Sequence, residues 1–378
     1  MRIIDRYMLQ QFLKTFVICY LSLTGLYIVF DAFTNLDEFL RCSEQAGGLF
    51  QLMSTFYGYK AILFFDRTAG LLILVSAMFT VSWIQRHNEM TALMAAGIPR
   101  VRVVAPLIVA SLAIVFLAAA NREMVIPPLR DEMARTPSDL IGDKGQMLDA
   151  RYDNQTDVLM RGHRTYADQK RIEQPNFLLP RNLRYYEKQI VAENAFYLPP
   201  EDGRPGGYLF KGVSQPKDVN TRPSLQWEGH PVVITPRDAP EWLEADQCFV
   251  VSEISFEQLT GGRAFREFSS TAQLIRGLHN ASLDFGADVR VAIHARMVTP
   301  MLDITLLFLG LPLVVTRRNR NVFLAIAMCA GITTGYLLAI IGSQYLGAML
   351  VVSPALGAWL PLILFIPVAV GLAGAMWE

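Results

Sequence analysis

Charge is scarce in this sequence. Of 378 residues only 18% are Asp, Glu, Lys or Arg, against about 25% in a typical soluble protein. What charge there is balances, 34 basic against 34 acidic residues, so nothing favours nucleic acid. Catalytic signatures are missing as well. There is no Walker A motif, no G-x-S-x-G and no H-E-x-x-H. His163, His230 and His279 are scattered and read as surface or turn residues. The glycine-rich DGRPGG at 202–207 has no helix after it, so it reads as a hairpin loop and not a phosphate cradle. The four cysteines fit no zinc or redox spacing. Cys19 and Cys329 sit in apolar runs as packing residues, whereas Cys42 and Cys248 leave a bridge open if both face an oxidising compartment.

Long apolar runs are what the chain does have. A bilayer core about 30 Å thick needs about 20 mostly apolar residues per helix. Six windows qualify: 12–30, 68–83, 103–120, 298–315, 322–341 and 356–377. The second is cut at its start by Asp66 and Arg67, a pair expected at headgroup level. The first has no small-residue cleavage site after it and reads as a retained span, not a signal peptide. Basic residues of short loops set orientation. Arg2, Arg6 and Lys14, then Arg86, Arg100 and Arg102, then Arg317, Arg318 and Arg320 all fall on one side of a six-span chain. Both termini are therefore expected in the cytoplasm and the large middle region outside it.

That middle region holds most of the polar sequence. VAENAFYL (191–198) and YLFKGV (208–213), with prolines and glycines between, read as strand, loop, strand. HPVVITP (230–236) is a short strand bounded by prolines. CFVVSEISFEQL (248–259) alternates, which puts Val250, Ile254 and Phe256 on one face. The expectation is an all-β domain, a sandwich or jelly roll, with helical or irregular connectors at 122–148 and 258–295. The domain plan is 1–121 for an N-terminal membrane half, 122–290 for the β-jelly-roll domain and 291–378 for a C-terminal membrane half. The fold class is thus a membrane α-helical bundle of six transmembrane helices with an inserted all-β domain.

Between the second and third runs lies NEMTALMAAGIPRVR (88–102). It reads as a compact helix over about 87–98. Asn88 is placed to cap it, Glu89 suits its first turn, and Gly97 with Pro99 ends it. Met90, Leu93 and Met94 form an apolar stripe. Two readings stand: a loop helix lying at the membrane surface, or a coupling helix that enters a groove on a partner ATPase.

Several segments, in order, resemble the LptF/LptG lipopolysaccharide-export permease family. IIDRYMLQQFLKTF (3–16) is similar to the family's D-R-Y start, and NEMTALMAAGIPRVRV to its E-x-x-A-L-x-A-x-G coupling segment. IVAENAFYL and GYLFKGV resemble its β-domain pattern. HARMVTPMLDITLLFLGLPLVV (294–315) resembles its fourth span, and SPALGAWLPLILF (353–365) its P-x-x-x-A-W-L-P signature. The D-R-Y start and Asp31 in VFDAF lean to the LptG branch. Two departures stand out. No basic residue lies between Lys14 and Arg41, and the second span begins with Asp66-Arg67 and no proline.

The resemblance implies a non-catalytic permease subunit of a bacterial inner-membrane ABC exporter. It would extract lipopolysaccharide, or a related amphiphile, from the outer leaflet and pass it to a periplasmic bridge. Implied partners are a paralogous LptF-like six-span chain, an LptB-type ATPase dimer that binds ATP and Mg, and an LptC/LptA-type bridge. No cofactor is implied in this chain. Glu89, Leu93, Met94, Gly97 and Arg100 fall to the ATPase contact. Lys60, Arg67, Arg290 and Arg296 fall at span ends, either on lipid phosphates or as interfacial anchors. Leu23, Gly25 and Tyr27 with Gly331, Gly335 and Gly342 fall to a lateral gate between subunits. The glycines of 331 and 335 make a G-x-x-x-G that allows close helix contact. Val250, Ile254 and Phe256 fall to the β-domain core or groove. The competing class is a membrane-anchored β-domain receptor or scaffold coupled to no ATPase.

Overall fold

The computed structural model describes residues 3–43, 48–135, 145–183, 186–201, 204–227, 229–283, 285–315 and 322–374. Arg2, Arg317, Arg318 and Arg320 of the orientation argument lie outside the described residues, as does the Cys42 side chain. Two compact units form, 1–133 with 286–378, and 134–285. The borders drawn from sequence at 122 and 290 thus shift into the middle region on both sides. The cause is that the helices run on beyond the apolar windows.

The first unit is helical. Its elements are α1 Ile3–Thr34, α2 Leu36–Ser43, α3 Leu49–Arg86, α4 Glu89–Ala95, α5 Arg100–Ala120, α6 Arg130–Ala134, which reaches the unit's border, and α9 Ala287–Val315, α10 Val322–Ala348 and α11 Pro354–Gly374. Among the described residues five helices are long and apolar enough to cross a membrane: α1, α3, α5 extended to Val125, α9 and α11. The 27-residue α10 carries no charged residue. At 1.5 Å per residue α3, with 38 residues, reaches about 57 Å, nearly twice a bilayer core. Asp66 and Arg67 therefore sit inside a continuous helix and do not begin one.

The core of this unit gathers Met8 and Phe12 of α1, Leu72, Ile73, Leu74 and Val81 of α3, Val103 and Leu107 of α5, and Val298 and Leu311 of α9, each 0–1% exposed. Two glycines bring α3 and α9 close. A Cβ at Gly70 would lie 2.1 Å from Asp303 Oδ1, and one at Gly310 would lie 2.4 Å from Leu74 Cδ1. At the Arg86 end of α3, Gln85 Nε2 donates to the Val314 and Val315 carbonyls at 2.9 and 3.3 Å. These are last-turn carbonyls of α9, which have no helical partner of their own.

Among the described residues, the second unit is built on one antiparallel sheet of eleven strands. Its main path runs β1-β4-β5-β7-β8-β11-β10-β9, with β2, β3 and β6 branching from β7. The strands are β1 Gln146–Met147, β2 Arg151–Asp153, β3 Val158–Met160, β4 Arg164–Tyr166, β5 Arg171–Glu173, β6 Asn176–Leu178, β7 Gln189–Leu198, β8 Gly207–Gln215, β9 Leu225–Trp227, β10 His230–Ile234 and β11 Cys248–Val251. The long β7 and β8 pair from Leu198↔Gly207 back to Val191↔Gln215. On the buried face Phe177 meets Phe210 edge-on at 4.9 Å and Tyr208 at 5.7 Å.

One predicted strand is corrected. The chain leaves the sheet at Val251, and Ser255 starts helix α7, Phe256–Phe268. Ser255 and Gln258 form a reciprocal capping box, as do Ser270 and Gln273 ahead of α8, Thr271–Leu278. Each satisfies two backbone donors at a helix start. Val250, Ile254 and Phe256 are 0%, 0% and 3% exposed within the core. They line no open groove, and the alternation that joined them as one strand face is broken by the cap.

Cys248 is a free, fully buried thiol; the pairing with Cys42 left open by the sequence involves a side chain outside the described residues. Burial pushes the Cys248 pKa up to about 12. A thiol in an unfolded chain ionises near pH 8.5. Its contribution to stability is thus complete below that pH and is lost as pH rises toward about 12. The expected result is that alkylating reagents at pH 8 leave native Cys248 unlabelled and modify it only after denaturation.

Asp153 is a buried carboxylate with its acceptors in use. Ser252 Oγ donates to Oδ2 at 2.6 Å, and the Gln155 and Thr156 amides approach Oδ1 at 3.0 and 3.3 Å. This ties β2 to the segment after β11. Asp153→Ala is expected to cost about 3 kcal/mol, read as earlier protease cleavage of the 134–285 unit in the full chain.

Candidate functional site

The α4 turn is shaped by how abruptly α3 must reverse. Only His87 and Asn88 separate the two helices, and Asn88 takes a left-handed φ of 61° with no side-chain capping bond. It therefore does not act as the predicted N-cap. Asparagine is among the few residues that enter this region readily. The other end is as expected from Gly97 and Pro99. Gly97, at φ 80°, donates its amide to Met94 O at 3.0 Å, and Ile98 donates to Leu93 O at 3.1 Å. These are the two bonds of a Schellman closure, with Ile98 and Leu93 as its apolar pair.

This closure sorts the faces of α4. Met90 is 5% exposed, and Leu93 and Ile98 pack on the membrane-unit core. The predicted stripe is therefore split: Met90 and Leu93 turn inward and Met94 turns out. The outward face carries Thr91, Ala92, Met94, Ala95 and Ala96, all exposed. Arg100 lies along Met94, with Nε 3.4 Å from its sulfur. Glu89 accepts from Tyr7 Oη at 3.0 Å through Oε2. Arg102 Nη2 donates to Asp5 Oδ2 at 2.9 Å. Sequence reasoning read Ala92, Ala95 and Ala96 as the thin part of the helix and assigned Leu93 outward, whereas Leu93 packs on the core. The helical phase of the apolar residues was readable, but which side the core occupies was not.

The basic candidates fall in two tiers along α3 and α9, whose ends meet at Gln85. Arg67 and Arg296 each stand nineteen residues from the helix ends Arg86 and Val315, about 28 Å at the helical rise. Lys60 and Arg290 stand roughly 38 Å away by the same rise. Arg67 and Arg290 are exposed and Arg296 is half-buried. Lys60 donates to the Met133 carbonyl at 3.0 Å and lies 5.2 Å over the Phe56 ring.

A further charged group was not foreseen. Arg122 stands in a π-helical turn, Asn121–Val125, that continues α5. Its Nη2 donates to Asp66 Oδ2 at 2.7 Å and its Nε to both carboxylate oxygens at 3.1 Å. The Asp66 side chain is 8% exposed. On α1, Asp31 accepts from Tyr57 Oη at 2.9 Å.

The gate candidates divide. A Cβ at Gly25, Gly331, Gly335 or Gly342 would meet no atom within 4 Å, and Leu23 is exposed. On α10 the three glycines share an open side with Leu338, Ile341 and Tyr345, whereas Thr333, Tyr336 and Ser343 are buried opposite. Tyr27 instead stacks on Phe64 of α3 at 5.5 Å, so it does not look outward.

Breaking a buried pair by removing one partner costs about 3–5 kcal/mol. Arg122→Ala alone should therefore lower the unfolding temperature in detergent sharply. Asp66→Asn with Arg122→Gln should recover a large part of the loss. Equal loss in the double variant would show that the pair is not coupled.

A family model described as lipopolysaccharide export system permease LptF/LptG matches residues 6–374. No curated protein matches the chain.

Proposed function

We propose that this chain, which belongs to the LptF/LptG family of lipopolysaccharide export system permeases, is one of two membrane subunits of an exporter powered by a separate ATPase. The observation that carries this reading is the α4 turn. A seven-residue helix is locked at its C-terminus by Gly97, and it offers a thin face of Thr91, Ala92, Ala95 and Ala96 around Met94. Small side chains allow close approach of a partner's groove, and a single methionine fills irregular space well.

In this reading α10 is the sixth span. Both termini and the α4 turn lie in the cytoplasm of a bacterial inner membrane, and the β unit is periplasmic and of jelly-roll type. Closure of the ATPase dimer on ATP moves α4. The open sides of α1 and α10 face a second six-span chain, where Leu23, Gly25, Gly331, Gly335 and Gly342 contribute to a lateral opening. Arg67 and Arg296, at the depth of the outer headgroups, meet lipid phosphates, for which the planar guanidinium supplies paired donors. The lipid then rises to the β unit and on to a periplasmic bridge of LptC/LptA type. The chain's own residues bind, orient and move. The phosphoanhydride chemistry belongs to the LptB-type partner and its Mg-bound ATP.

The test is a pull-down from detergent-solubilised native membranes. Wild type should bring down an ATPase subunit and a second permease chain. Ala92→Arg with Ala95→Arg, both on the outward face, should lose the ATPase and keep the second permease. If no ATPase accompanies the wild type, the chain is a membrane-anchored β-domain scaffold instead.

A further inference from the structure

The D-R-Y stretch near the N-terminus has no role in the reading so far, yet two of its residues reach the α4 turn. Tyr7 Oη donates to Glu89 at the start of α4, and Asp5 receives Arg102 in the first turn of α5. One contact thus falls on the first residue of α4 and the other follows the helix. Beneath them Met8 and Phe12 of α1 are 1% and 0% exposed, in the same core cluster as Met90, Leu93 and Ile98. Arg6, between the two, is exposed and makes neither contact. The inner end of α1 is therefore seated on the turn by an apolar base and two polar braces.

Along its length α1 packs on one side only, Phe16 and Tyr20 against Phe65 and Tyr27 against Phe64 of α3. Its most apolar stretch is 11% buried, the lowest share of the five candidate spans. Val17, Ile18, Leu21, Leu26, Val29 and Phe30 are 50–68% exposed. Polar links from α1 to α3 sit further out, Tyr20 Oη to the Ala61 carbonyl at 3.1 Å and Asp31 to Tyr57. A helix packed along one side and braced at its end carries a displacement of that end along its axis.

We infer that α1 and the α4 turn form one mechanical unit, in which Tyr7 and Asp5 are positioning residues that fix the Glu89 carboxylate and the register of α1 against the turn. Displacement of α4 then reaches the open face at Leu23 and Gly25 directly through α1, in parallel with the covalent path through α3 and α5. Tyr7 acts on Glu89 by a charge-assisted hydrogen bond, which orients the carboxylate as well as holding it. Asp5 acts on Arg102 as an ion pair, with side chains 15% and 41% exposed.

This inference rests on the proposed coupling to an ATPase, and the experiment separates the two. The intact complex is purified through this chain from native membranes and reconstituted in proteoliposomes with purified lipopolysaccharide. ATP hydrolysed and lipopolysaccharide released are measured together. Tyr7→Phe and Asp5→Asn should each lower release per ATP hydrolysed about threefold or more, the scale of one lost solvent-accessible hydrogen bond. Asp5→Glu should restore most of it, and so should the exchange Asp5→Arg with Arg102→Asp. An oxidised cross-link between D5C and R102C should leave release intact, because the two positions move as one. Unchanged release per ATP in both single variants would overturn the inference, as would release that stops on cross-linking and returns on reduction. Absence of an ATPase subunit from the wild-type preparation would remove the coupling reading itself, and this inference with it.

Discussion

The left-handed backbone at Gly97 is the constraint on which the membrane unit's best-defined surface depends. A φ of 80° costs glycine little and any other residue considerably more. With it, two otherwise unpaired amides close on Met94 and Leu93, and Pro99 opens α5 at once. Seven residues alone are too few to hold a helix in water. This one persists because Met90 and Leu93 are packed beneath it and both of its ends are pinned. Everything exposed on it is small or flexible. The surface is thus produced by the closure and the packing together, and neither would define it alone.

Much of this was legible before any coordinates. Apolar runs longer than a bilayer is thick announce spanning helices, because a lipid-facing backbone must bond within its own segment. Gly97-Ile98-Pro99 announces a stop. The ladder of β7 and β8 follows from two β-rich runs with a proline- and glycine-rich connection. What was not legible depends on which side of an element the rest of the chain occupies. Met90 and Met94 are four residues apart and chemically equal, yet one is buried and the other exposed. Val250, Ile254 and Phe256 alternate as a strand would, but Ser255 and Gln258 satisfy each other's backbone amides. Those bonds turn the segment into a helix. The S-x-x-Q pattern was present in the sequence, and hydrophobic alternation outweighed it. The six short strands between 146 and 178 were missed because two or three residues are too few to show a period.

Asp66, Arg122 and Asp303 show a different limit. Single apolar windows treat a charge as an interruption. Here a charge from α3 is met by one from the π-helical turn that continues α5, fifty-six positions away in sequence. The interruption disappears because the partners cancel. Ionisable groups within spanning helices are expensive and are retained where they are paired or used. A π-turn adds one residue to the helical circuit and redirects the side chains beyond it. That Asn121–Val125 adopts one where Arg122 must turn toward Asp66 gives the irregularity a physical reason.

Gly70 completes that arrangement. It lies one helical turn from Asp66 on α3, and its missing side chain is the space into which Asp303 of α9 projects. Arg122 and Asp66 are the charged neighbours that act on Asp303 electrostatically. Three helical segments thus bring two carboxylates and one guanidinium together beside a glycine. Apolar packing is poor at choosing one rotation of a helix among several with similar burial. A group that must bury an ion pair and leave room for a second carboxylate is far more selective. Those three helices, α3, α5 and α9, form the frame, closed by Gln85 at one end, on which α1 packs through Phe16, Tyr20 and Tyr27 while its other face stays exposed.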